Sequence, residues 1–246
     1  MSNLASVLVS ILVGGERHGW INPHLANTMM ELARIAERGE RQLEVSQVCG
    51  IIPHDAARNR ACQYFLNDSD AEWLVMCDND MSIYSSILAM LDAAPPEASI
   101  LAPRSFVSAS NESHFEVRLV WWPAEGADMT KVWVPLDAVG SGVLAVRREA
   151  FGKLTQPFFR FGYNREGACV EGEDQYFCRQ AIKAGLKIFG CNMAVAHHFH
   201  TLDLNLFEPS APAITPLQGI IGGQRGRTVT LHAGESKTFP VEVSHR

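Results

Sequence analysis

Trp73-Leu74-Val75-Met76-Cys77-Asp78-Asn79-Asp80 carries an uncharged apolar run straight into two carboxylates separated by one amide. A short continuous apolar run suits a strand covered on both faces, as in the middle of a parallel sheet. In open α/β sheets, ligands bind just beyond the carboxyl ends of such strands. Two aspartates there, with no Lys or Arg close by in sequence, repel each other unless something positive lies between them. A divalent cation fills that need, and oxygen ligands favour hard ions such as Mg2+ or Mn2+ over zinc. The chain carries its own control. Asp68-Ser69-Asp70 has the same spacing but sits in a polar stretch ahead of the strand, where it reads as a turn.

Working outward, Ser6 to Val13 reads as a first buried strand, broken by Gly14-Gly15. Asn22-Pro23 starts a helix, with an N-cap amide followed by proline in the first turn. Leu25, Met29, Leu32 and Ala36 keep helical spacing, and Gly39 ends it. A strand from Leu43 to Ile52 follows, then a helix that Asp55 caps and whose Ala57, Ala61, Tyr64 and Phe65 share a face. Arg58 and Arg60 fall in its first turns, where the helix dipole disfavours cations unless they have a partner. A helix from Ser82 to Asp92 and a strand from Ser99 to Ala102 extend the alternation. The expected fold class is therefore α/β, a mostly parallel Rossmann-like central sheet with flanking helices.

The second half reads differently. Phe115 to Trp122, Lys131 to Val134 and Val139 to Val146 look like β segments, and Phe158 to Tyr163 like an aromatic loop. A helix from Glu173 to Ala184 stops at Gly185, and a short strand leads to His197-His198-Phe199-His200. Beyond Asn205 the chain turns Pro/Gly-rich, with Pro209, Pro212, Pro216, Gly219, Gly222 and Gly223. The predicted organisation is a main domain over 1–204, a linker over 205–227 and a small β-hairpin appendage over 228–246. Such a hairpin must pack on the main body or on a second subunit, so a homo-oligomer built through the tail is one expectation.

Composition bounds the function classes. With 246 residues, 47% hydrophobic and 20% charged, the chain suits one sizeable soluble domain with a short appendage. A net charge of −6 argues against broad nucleic-acid binding. The cysteines Cys49, Cys62, Cys77, Cys169, Cys178 and Cys191 are scattered without a C-x-x-C pair, which predicts buried free thiols in a reducing compartment. The apolar run Val7 to Val13 has no Lys or Arg before it and is too short to span a bilayer. A cytoplasmic protein is expected.

Three further constellations bear on chemistry. Glu171-Gly172-Glu173-Asp174 opens a helix; carboxylates there either complement the dipole or supply a general base. Of His197, His198 and His200, adjacent residues on a strand face opposite ways, so one of the first two can join a metal shell. Val139-Gly140-Ser141-Gly142 marks a bulge or a close approach by a ligand.

In this order the pieces resemble a GT-A-fold glycosyltransferase of the family 2-like group found in bacteria and phages. The resemblance spans roughly Val7 to His200. It rests on the opening strand, Ala57-Arg58-Asn59, Cys77-Asp78-Asn79-Asp80, Val139-Gly140-Ser141-Gly142-Val143 with Arg147-Arg148, Glu173-Asp174-Gln175-Tyr176-Phe177-Cys178, and a final histidine. It implies a nucleotide-diphosphate-sugar donor near Arg58, Asp78, Asn79, Asp80 and Gly142. It also implies a divalent ion, Mn2+ or Mg2+, at Asp78, Asp80 and a histidine near position 197, His197 first and His198 as the alternative. Asp174 matches the family's general base, with Glu173 beside it, and inversion is the expected stereochemistry. The acceptor is left open: a glycan, a lipid-linked precursor, a protein or a modified nucleobase. Two rival readings are a nucleotidyltransferase acting on sugar phosphates and a non-catalytic carbohydrate-binding protein. The first usually needs a glycine-rich basic loop, of which Gly14-Gly15-Glu16-Arg17 is a faint version. The second has no need of both acidic pairs.

Overall fold

A computed structural model describes residues 4–13, 23–38, 41–107 and 118–199 in full, and 108–111, 114–117, 228–233 and 235–240 by backbone alone. The loop over 14–20, His200 and the linker over 205–227, all singled out in the sequence, lie outside the described residues.

The chain opens with strand β1 (Val7–Val13), helix α1 (Pro23–Glu37), β2 (Leu43–Cys49), α2 (His54–Asp68) and β3 (Trp73–Asp78). Then come β4 (Met81–Ser82), α3 (Ser86–Asp92), β5 (Ala98–Arg104), β6 (Phe106–Asn111), β7 (His114–Leu119) and β8 (Trp121–Pro123). The remainder is β9 (Trp133–Val139), β10 (Val143–Arg147), α4 (Arg148–Phe151), β11 (Gly162–Tyr163), β12 (Cys169–Glu171), α5 (Glu173–Lys183), β13 (Lys187–Val195) and β14 (His197–His198). Near the end, β15 (Thr228–Ala233) and β16 (Glu235–Pro240) pair antiparallel with each other. By its contacts the chain forms two units, Met1–Val107 with Arg118–Phe199, and Ser108–Val117 with His200–Arg246.

The first unit is built on an 8-stranded sheet in the order β2-β1-β3-β10-β5-β13-β9-β8. β1 runs parallel to β2 and β3, and β5 parallel to β13. β10 runs against both of its neighbours, β3 and β5, and β9 against β13 and β8. This is the α/β class expected, with a mixed central sheet whose reversed strands, β9 and β10, come from the second half of the chain.

Strand alternation divides the core between two faces. Leu8, Leu74, Met76, Ile100, Leu144 and Val146 pack with Ala57, Ala61, Phe65 and Phe177 from α2 and α5. Val9, Val75, Cys77, Leu101, Val143 and Ala145 pack on the other face with Leu25 and Leu32 of α1 and Ile87 and Leu91 of α3. Trp73 to Cys77 are all fully buried, as a strand at the sheet centre requires. Each such large apolar side chain contributes roughly 1.5–3 kcal/mol. Gly185 ends α5 with φ 73°, a conformation that favours glycine.

Two boundaries differ from the sequence reading for long-range reasons. The helix expected from Ser82 begins at Ser86, because Met81 and Ser82 pair with His198 and His197 as β4 and β14. The strand expected over Val139 to Val146 is split: Val139 closes β9, Gly140 to Gly142 turn, and β10 begins at Val143.

Candidate active site

The reversal of β10 builds the site. Because β10 runs antiparallel to β3, with Val143 opposite Cys77, the turn that feeds β10 meets the carboxyl end of β3. The Asp78 amide donates to the Gly142 carbonyl at 2.9 Å. A Cβ on Gly142 would lie 3.3 Å from Met81 Sδ, so this turn is packed tightly against the segment after Asp80.

Arg58 is the centre of the cluster. It lies in the first turns of α2, is only 2% exposed, and reaches carboxylates from two other elements. Nη2 donates to Asp78 Oδ2 at 2.9 Å and Nε to Glu173 Oε1 at 3.3 Å. Those carboxylates are the partners that a cation near a helix N-terminus requires. Burial would lower the Arg58 pKa, but the carboxylates of Asp78 and then Glu173 outweigh it and hold the guanidinium charged. Burial raises the Asp78 pKa, with the Asp80 charge adding to the rise and Arg58 opposing it. Arg58 Nη1 and Asp78 Oδ1 are buried without a hydrogen-bond partner, so the pair keeps one donor and one acceptor unspent.

The other aspartate of the motif faces a histidine. Nε2 of His198 lies 3.1 Å from Asp80 Oδ2, and the contact raises the His198 pKa. A hydrogen bond with the Phe106 backbone acts in the same direction on the same ring. Alternation along β14 sends His197 the other way, edge-on to the Tyr84 ring at 5.5 Å. The Phe199 amide donates to the Asp80 carbonyl at 2.9 Å, which locks the register. The sequence favours His197, but the register of β14 on β4 brings His198 to Asp80 instead and turns His197 toward Tyr84. Asn79 donates its amide to the Leu12 carbonyl at 3.1 Å, which fixes the bend between the two carboxylates.

The acidic helix start divides its labour three ways. Glu171 is bidentate with Arg179, at 2.6 and 2.8 Å, and serves the helix surface. Glu173 joins the Arg58 cluster and accepts from Ser141 Oγ at 3.4 Å. Asp174 Oδ1 accepts from the Gln175 amide at 2.7 Å, and a Cβ on Gly172 would fall 2.6 Å from that same oxygen. Burial raises the Asp174 pKa, and the neighbouring Glu173 charge raises it further. A carboxyl so placed is suited to exchange a proton.

In the sequence Ser141 is only part of a glycine-flanked turn; its contact with Glu173 is a tertiary one. Asn59 was read only beside Arg58; its side chain both donates to and accepts from the Phe159 backbone, at 2.7 and 3.1 Å. That clamp ties the aromatic loop to α2.

Among the described residues, no group of three His, Cys, Asp or Glu side chains stands in metal-holding geometry. The donor set nevertheless fits a hard divalent ion. Asp80 and His198 already meet, and the buried Asp78 Oδ1 is an oxygen donor without a partner. Magnesium and manganese keep several positions for waters and substrate phosphates, so two or three protein donors suffice.

No protein-family profile and no curated protein matches this sequence. Among solved structures, protein A197 from STIV resembles it with a TM-score of 0.52 and 14% identity, over 80% of this chain and 86% of that one. GalNAc-T7, solved with UDP, GalNAc and Mn2+, has a TM-score of 0.48 and 13% identity, over 82% and 45%. A glycosyltransferase involved in glycosylation of the major capsid of PBCV-1 has a TM-score of 0.41 and 10% identity, over 79% and 94%. At such identities the likeness is one of fold. Among the described residues, no helix is long and apolar enough to cross a membrane.

Proposed function

We propose that this chain is a metal-dependent glycosyltransferase that moves a sugar from a nucleotide-diphosphate sugar to an acceptor hydroxyl. The observation that carries the reading is one buried cation, Arg58, holding the Asp-x-Asp strand end and the Glu-Asp helix start in one cluster. The two acidic pairs of the sequence, far apart along the chain, thereby share a site. The family resemblance accounts for both in that order.

In this mechanism Asp174 takes the proton of the acceptor hydroxyl as its oxygen attacks the anomeric carbon. The bond from that carbon to the diphosphate oxygen breaks as the new one forms, with inversion. Its raised pKa suits the role, because a base that holds a proton more firmly accepts it more readily. Arg58 keeps Asp78 and Glu173 in place and offers Nη1 toward anionic groups entering the cluster. Asp78, Asp80 and His198 would hold the divalent ion, whose charge offsets that of the departing nucleoside diphosphate. Ser141 and Gly142 shape the turn against which the donor lies.

The test is release of nucleoside diphosphate from a panel of nucleotide sugars, with Mn2+, with Mg2+ and with excess chelator. Turnover that needs the ion and is abolished in Asp80→Ala, with the fold intact by circular dichroism, is the expected result. Failure of every donor either to turn over or to raise the melting temperature would overturn the reading.

A further inference from the structure

A second candidate binding feature lies on the same face of the sheet as Asp78, beside the cluster rather than within it. Arg104 is the last residue of β5 and continues the alternation of Ile100 and Ala102, which pack on the face that carries Leu74, Met76 and then Asp78. In the sheet order β5 lies two places from β3. The two strand ends are therefore about two strand spacings apart, roughly 10 Å. A cleft of about 330 Å³ opens there, lined by Arg104, Leu119, Met129, Thr130 and Asn192. Its wall is held from below: Asn192 Nδ2 donates to the carbonyls of Met129 and Lys131, at 2.8 Å each.

Among the described residues, no acidic side chain takes up the charge of Arg104. Among the described residues its guanidinium makes neither a hydrogen bond nor an ion pair, and it lies over the Phe106 ring at 5.2 Å. Phe106 is itself partly exposed, and its backbone meets the ring of His198. The charged residues flanking Thr130 answer each other. Asp128 accepts from the amide and hydroxyl of Thr130 and lies 3.8 Å from Lys131. Arg104 is thus an available cation beside an aromatic face, one flank away from a centre built of carboxylates. A second ligand with an anionic group of its own, lying beside that centre, is best received by a cation set to the side.

We propose that this cleft is the acceptor subsite and that it takes an anionic acceptor, a sugar or glycan bearing a phosphate or carboxylate, through Arg104. The word acceptor rests on the glycosyltransferase reading; the binding does not. Arg104 would grip the anion bidentately, as a guanidinium matches both phosphate and carboxylate geometry. The exposed Phe106 edge and Met129 would lie along the sugar.

The experiment titrates the full chain, without donor, with a hexose phosphate, a uronic acid, the parent hexose and inorganic phosphate, by isothermal calorimetry. Wild type, Arg104→Gln and Arg104→Lys are compared. The expected result is saturable binding of at least one anionic sugar, tighter than the parent hexose and tighter than inorganic phosphate. Arg104→Gln should weaken it roughly tenfold or more, and Arg104→Lys should recover part of that loss. Equal binding by wild type and Arg104→Gln, or no binding of any anionic sugar, overturns the proposal. Inorganic phosphate binding as tightly as the sugar phosphate overturns it too, leaving a bare anion site. Nucleoside diphosphate release measured on the same proteins keeps the two readings apart: a chain that binds anionic sugars through Arg104 but turns over no donor loses the function and keeps the cleft.

Discussion

The chain contains the spacing Asp-x-Asp twice within thirteen residues, at Asp68-Ser69-Asp70 and at Asp78-Asn79-Asp80, and each copy has its own arginine. At the first, Arg148 ignores the carboxylates. It donates to the backbone carbonyls of Phe65, Ser69 and Ala71, at 2.7–2.8 Å, and lies over the Phe65 ring at 4.1 Å. Asp68 and Asp70 face solvent. At the second, Arg58 takes carboxylates instead, and from two separate elements. The first arginine ties off the end of α2; the second gathers charge into one place. What separates a turn from a candidate site is thus which atoms the arginine meets, and the local spacing is silent on that.

The sharpest way to break the comparison is through chemistry. Asp174→Asn keeps shape and most of the hydrogen bonding but cannot accept a proton. Turnover should fall on the order of 10²–10⁴-fold with donor affinity nearly unchanged. The wild-type rate should climb as pH rises through the raised Asp174 pKa, since only the ionised carboxylate is a base. Stability should move the opposite way. A carboxyl whose folded pKa is raised binds its proton more firmly folded than unfolded, so its stabilising contribution is full at low pH and is lost as pH rises through the folded value. At neutral pH, Asp174→Asn should therefore match or exceed wild-type stability in urea unfolding. A variant that transfers sugar at the wild-type rate puts the base elsewhere.

Removing Arg58 comes next. Arg58→Met strands Asp78 and Glu173 in a largely buried place, at a cost of about 3–5 kcal/mol. Asp78→Asn introduced alongside it should recover part of the loss, because one of the stranded charges is gone. If Arg58→Met unfolds at the wild-type urea midpoint, the ion pairs contribute nothing to the fold.

The smallest effects belong to the first copy. Arg148→Met should cost about 1–3 kcal/mol, the desolvation of the carbonyls it leaves unmet. Asp68→Asn and Asp70→Asn should each stay within about 0.5 kcal/mol of wild type. None of the three should alter turnover per folded molecule. A turnover defect in Asp70→Asn would mean that the two copies differ less than their arginines suggest.

The local parts of this architecture were legible in the sequence, and the long-range ones were not. Trp73 to Cys77 announces a central strand by lacking any polar position, and Asn22-Pro23 marks the start of α1. The need of Arg58 for a partner could be stated from the helix dipole alone. Its partners could not, since Glu173 lies 115 residues away. The boundaries that moved, at Ser82 and at Gly140 to Gly142, did so because of pairing with residues distant in sequence. The histidine at the aspartates is chosen by the register of β14 on β4, a property of two strands together. Arg104 carried no signal of its own, because an arginine at a strand end is ordinary until it is seen to have no ion pair among the described residues.

The reversed strand has a consequence for how the chain is made. Among the strands of the 8-stranded sheet, β3 and β5 follow one another in sequence but are not adjacent in space; the slot between them is filled by Val143–Arg147. A ribosome that has released everything up to β9 has therefore produced two strands whose facing edges are both open. Those edges, at Trp73–Asp78 and Ala98–Arg104, are almost wholly apolar. Unpaired apolar edges are what drive sticking between nascent chains. Nascent chains stalled just before Val143 should be far more prone to aggregate and to recruit chaperones than chains stalled a dozen residues after Arg147 has emerged.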